Sequence, residues 1–222
     1  MRGGRGRPCP PRILLSRANV WHRIALVHYL VAMTDARTGV EPRWHVLGSL
    51  PFAAAALVLV NGLYIFLVAL GNITDYGTNF DFVQHVLAMD TTNFGQDAGK
   101  GLDPDVMWRA ITDPVVWNIA YIGVIVWESA SAIVLITAVV FFVRGFFGHG
   151  FHAARVWSSV GLVMIILLFV GGFISIGGEW FQMWRSTAWN GLDPAFRNAV
   201  IAAVGLVLIH LPSPRWETGA VA

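Results

Sequence analysis

The sequence predicts an all-α membrane protein: a four-helix transmembrane bundle with a small helical extracytoplasmic cap. Three observations carry that expectation. Of the 222 residues 13% are charged and 56% hydrophobic, with a mean hydropathy of +0.61, whereas soluble domains carry about 25% charged residues. Apolar runs recur at 51–71, 115–143, 156–177 and 194–211. Between them lie a long acidic segment, a basic turn and a Trp-rich connector, in that order.

Residues 1–48 read as a cytoplasmic N-terminal tail. Met1 to Ala32 contain six arginines (Arg2, Arg5, Arg7, Arg12, Arg17 and Arg23) and no acid. That composition suits a transit-like or signal-like leader, but a signal needs an unbroken apolar stretch of about 7–15 residues. Arg17, His22, Arg23 and His28 interrupt any such stretch. The alternative is that translation begins at Met33, so that residues 1–32 are a gene-start artefact.

The membrane domain is expected over 49–212. Pro51 to Leu70 is free of charge, and about 20 apolar residues cross roughly 30 Å of hydrocarbon at ~1.5 Å each. Asn61 interrupts this run; a lone amide in such a helix is more often buried against a neighbour than used on a ligand. The first outer segment, 72–113, holds seven aspartates against Lys100 and Arg109. Asn79 is expected to cap a short helix that gathers Phe82, Val83, Val86 and Leu87 on one face and turns Gln84 and His85 away. Asp103-Pro104 is expected to open a second short helix, with Asp as cap and Pro at the first helical position.

Asp113-Pro114 opens the second span in the same way. That span is long enough to tilt or project, and Glu128 is its one charge before Arg144. A mid-membrane carboxylate is expected to face the bundle interior, protonated or paired. Arg144 to Arg155 reads as a Gly-rich basic turn. His149 and His152 lie three apart, but no thiol or carboxylate joins them, so a solvated turn is favoured over a metal site. The third span is charge-free, with Gly161, Gly171 and Gly172 inviting close packing. The second outer segment, 178–193, leads to Asp193-Pro194 and the fourth span. Pro212 and Pro214 stop that span, and 213–222, with Arg215 and Trp216, reads as a surface tail.

Several function classes are argued against. Cys9 is the single cysteine, so no internal disulfide or thiolate metal site forms. A net charge of +2 without basic-aromatic runs does not suggest a nucleic-acid partner. No nucleophile elbow, zinc-protease, P-loop or dinucleotide-binding motif occurs, and one span histidine, His210, does not make a bis-histidine haem. No EF-hand spacing joins the outer aspartates. No catalytic residue, cofactor or metal is therefore expected, and the candidate functional or structural residues are Asn61, Arg109, Glu128, Glu179, Trp180 and Trp184. Glu179 is expected to pair with Arg109 or Arg185 and clamp the connector to the acidic segment. The plainer alternative for Trp180 and Trp184 is an interfacial aromatic belt.

The stretch GGEWFQMWRSTAWNGLDPAFR (177–197) resembles a bacterial family of uncharacterised small integral membrane proteins, domain-of-unknown-function family 2165. The resemblance extends to NFDFVQHVLAMDTT, MWRAITDP and the WES of the second span, covering most of Trp44 to Trp216. It implies a four-helix membrane protein and brings no activity or ligand. With four spans, the turn side carries five cations (Arg37, Arg43, Arg144, Arg155, Arg215) and the opposite side four (Lys100, Arg109, Arg185, Arg197). The positive-inside rule then places both termini in the cytoplasm of a cell (inner) membrane protein. Besides the lipid bilayer, the expected associations are a protein partner or a homo-oligomer. Two functions follow: an accessory or structural component binding a partner through its outer cap, or a small-molecule or ion transporter using Glu128 and Asn61.

Overall fold

A computed structural model describes residues 43–217, whose regular elements are all helices, with no strand among the described residues. The expectations for the leader, the alternative start at Met33 and the last five residues lie outside them. A 3-10 helix, Arg43–Gly48, leads to Ser49, whose Oγ accepts the Phe52 N–H at 3.4 Å. With Pro51 in the first turn, where no N–H partner is needed, this starts α1 (Leu50–Thr74). There follow α2 (Tyr76–Ala88), α3 (Pro114–Arg144), α4 (His152–Ile166) and α5 (Leu192–His210). From Leu167 to Trp180, α4 continues as a wider π-helix. There the Ser175 hydroxyl reaches back five residues to the Val170 carbonyl.

Four of these elements are long and apolar enough to cross a membrane: α1, α3, α4 with its π extension, and α5. They run up and down in a ring, with consecutive spans adjacent and α5 closing on α1. Val58, Ile65, Leu135, Phe142, Leu162 and Ile209 fill the centre at 1% exposure or less. Between 28 and 33% of each span's most apolar window is buried, so most of its surface is left for lipid. Close approach is set by glycine. A Cβ at Gly62 would lie 3.1 Å from the Leu135 Cβ, and one at Gly161 would lie 2.5 Å from the Leu135 side chain.

The boundaries depart from expectation where a nearer group takes over. Asp75, not Asn79, precedes α2; its carboxylate accepts the Thr78 hydroxyl at 2.8 Å, while the Asn79 amide turns to Asn72. His85 does not point away but is half-buried. Asp103-Pro104 opens only a turn and the 3-10 helix Met107–Arg109, because the Ile111 N–H is drawn back to the Leu87 carbonyl at 2.8 Å. Asp113 does cap α3, its Oδ1 accepting the Val115 N–H at 2.8 Å. Asp193 does not cap α5: Gly191 holds that position and Asp193 lies inside the first turn, where a negative charge complements the helix dipole. The third span is longer than 156–177, running from His152 to Trp180. Trp216 is no surface residue; it is 5% exposed, packed on Phe142 and Phe151, and its Nε1 donates to the Leu211 carbonyl at 2.8 Å.

Candidate functional site

Polar chemistry inside the bundle centres on Glu128, which is 3% exposed. Asn72 of α1 donates Nδ2 to its Oε2 at 2.7 Å, and Asn79 of α2 donates Nδ2 to the Asn72 Oδ1 at 2.6 Å. A buried carboxylate needs such donors to offset lost hydration. Glu128 therefore faces the interior, as expected, but its partner was missed. Its depth also differs from expectation. Asn72 lies 21 residues past Pro51, or about 31 Å along the helix, so the pair sits level with the end of the first span rather than midway through it. Two turns nearer the start of α3, Tyr121 is 1% exposed, its ring against Tyr76 and Phe80 and its hydroxyl without a hydrogen-bond partner. Asn61 is not part of this group: it lies 11 residues, about 16 Å, from Asn72 along α1, and its Nδ2 donates to the Leu57 carbonyl of its own helix.

Beyond the spans, the two outer segments are sewn together, and we call the joined layer the cap. Arg185 Nη1 donates to Asp103 Oδ2 at 3.2 Å and to Gln182 Oε1 at 2.7 Å, with side-chain exposures of 15% for Arg185 and 36% for Asp103. The Phe94 N–H donates to the Arg185 carbonyl, and the Thr91 and Ser186 hydroxyls meet at 2.9 Å. His85 stacks on Trp189, ring centroids 4.7 Å apart, while its Nδ1 sits 2.9 Å from the Asp90 carboxylate. Arg109 lies between the Trp108 and Trp180 rings, at 5.4 and 5.2 Å, and reaches the Trp180 carbonyl at 3.4 Å.

The expected pairing of Glu179 with Arg109 or Arg185 is not formed, and other residues join the two segments. Glu179 is exposed and forms no ion pair among the described residues; Asp103 takes Arg185, and Arg109 has aromatic and carbonyl partners instead. A reciprocity was also missed. The tripeptide Met-Trp-Arg occurs at 107–109 and 183–185, forms a 3-10 helix both times, and each arginine crosses to an aromatic ring of the other segment. The repeated tripeptide, each copy upstream of an Asp-Pro, was the available signal.

The cap also concentrates backbone strain and exposed rings. Met89, Phe94 and Gln182, the three non-glycine residues with positive φ among the described residues, all lie in it. Trp108 is 69% exposed, Phe94 63%, Trp180 48% and Trp184 47%, and they pair edge to face as Trp108–Trp180 and Phe94–Trp184. Among the described residues no three His, Cys, Asp or Glu side chains gather where a metal ion would fit.

Four apolar helices in a closed ring, with a buried carboxylate and an aromatic end layer, define a polytopic integral membrane protein. A family model described as predicted small integral membrane protein, domain-of-unknown-function family 2165, matches residues 50–212, and the chain belongs to that family. Neither the curated proteins nor the solved structures contain a match.

Proposed function

We propose that the chain is a structural or accessory component of the cell (inner) membrane that docks a protein partner on its cap. The observation that carries this reading is Phe94. It holds a left-handed backbone at φ 57° and leaves its ring 63% exposed, edge-on to Trp184 and 5.1 Å from the Arg185 guanidinium. A non-glycine residue in that region costs about 1–3 kcal/mol and persists only where its surroundings impose it. Aromatic rings flanked by arginine are what partner-facing surfaces concentrate. Headgroup anchoring accounts for Trp180, the last residue of a span, but does not call for the left-handed backbone at Phe94. The cap is extracytoplasmic and both termini cytoplasmic, a reading supported by the arginine distribution. The test is co-purification in mild detergent. A stoichiometric partner that Phe94→Ala releases, without loss of thermal stability, supports the reading; a homo-oligomer enclosing a polar pore contradicts it.

A transport role has one observation in its favour, the buried Glu128–Asn72–Asn79 chain. Its test is proton or cation flux in proteoliposomes, which Glu128→Gln must abolish; equal flux from both proteins sinks it.

A further inference from the structure

The bundle end away from the cap has its own concave site. A cavity of about 1000 Å³ opens there between the start of α4 and the residues after α5, lined by His152, Arg155, His210, Pro212, Trp216 and Glu217 among others. Arg155 is fixed in place: its Nε donates to the Ile209 carbonyl at 3.0 Å and its guanidinium carbon lies 5.1 Å from the Trp216 ring. No carboxylate pairs with it among the described residues. The His210 Nε2 is 3.1 Å from the Ser159 hydroxyl, and His152 is exposed. Three basic side chains thus face one acid, Glu217. The field of α4 adds to theirs: its N-cap residue is Phe151, which offers no side-chain cap to the first-turn N–H groups.

We infer that this cavity binds a phosphate-bearing anion, with Arg155 as the principal contact and His152 and His210 beside it. A guanidinium already committed through Nε still presents its terminal N–H groups, and phosphate oxygens match that donor geometry. The space is far larger than a phosphate ion, of the order of 300–1000 Å³ that small-molecule sites occupy. Pro212 and Pro214 give it apolar walls for the body of a phosphate ester. Both a phospholipid headgroup and a soluble phosphate have this chemistry. The inference does not depend on the cap or on a protein partner.

The experiment follows thermal unfolding of the purified full chain in a non-ionic detergent, titrated with dihexanoyl phosphatidic acid, inorganic phosphate or uncharged dihexanoylglycerol. Stabilisation by phosphatidic acid alone assigns the site to lipid, and stabilisation by inorganic phosphate assigns it to a soluble source; dihexanoylglycerol is expected to do nothing. Arg155→Gln should weaken the apparent affinity about tenfold or more, as loss of a charge-assisted contact does. His152→Gln and His210→Gln, at exposed positions, should weaken it about threefold each, and they decide the matter if Arg155→Gln does not fold. No response to either phosphate probe, stabilisation by dihexanoylglycerol equal to that by phosphatidic acid, or unchanged affinity in every folded variant overturns the inference.

Discussion

Glu128 and Arg185 are each held by a partner that arrives from far along the chain: Asn72 lies 56 residues from Glu128, and Asp103 lies 82 residues from Arg185. Removing Asn72 costs more than removing both members of its pair, because Glu128 is left buried without its bond. Asn72→Leu should therefore destabilise the protein by about 1–3 kcal/mol. Glu128→Gln, which keeps an acceptor oxygen for Asn72, should cost less, and melting in detergent separates the two. Arg185→Ala should lower stability by about 1–3 kcal/mol. Arg185→Lys should not restore it, because an ammonium lacks the planar fork and the stacking face that meets Phe94. Glu179→Gln should change stability by no more than about 0.5 kcal/mol, as expected for an exposed, unpaired side chain. Equal losses from Arg185→Ala and Glu179→Gln would return the clamp to Glu179. The residue types that matter were legible in the sequence, but their pairings were not. Local spacing places Glu179 near Arg185, and only the fold brings Asp103 closer.

Elements were more legible than pairs, because a membrane makes them so. Every backbone group inside lipid must bond within its own helix, so an uninterrupted apolar run of spanning length leaves few alternatives. Four helices long and apolar enough to cross a membrane accordingly lie over the four apolar runs, the third extending beyond its run at both ends, and Asp113-Pro114 starts α3 through a local hydrogen bond that sequence rules anticipate. Asp193-Pro194 has the same letters, yet Gly191 and Asn190 begin α5 first. Trp216 defeats the surface-tail reading for a related reason. Leu211 accepts its indole N–H and folds the ring back over Phe142 and Phe151, a contact no helix periodicity encodes. Trp216→Ala should cost about 3–5 kcal/mol, the range for emptying a buried aromatic site. Gly161→Val should cost about 1–3 kcal/mol by driving α4 away from Leu135. Chemical unfolding of both variants, with Gly148→Ala in the exposed turn kept out of the comparison because of its positive φ, measures these directly.

At the scale of the whole molecule, two ends are built differently on one four-span ring. One end carries cross-braced segments with exposed rings; the other carries a basic cavity closed by Trp216. The central claim is that the braced cap presents Phe94 and Trp184 to a protein, rather than to lipid. A photo-crosslinking side chain placed at Phe94, compared with one at the exposed Leu59 of α1, tests this in intact cells. The account predicts a single protein adduct from position 94, lost when Trp184→Ala is added, and lipid adducts alone from position 59. Lipid adducts alone from both positions would contradict it.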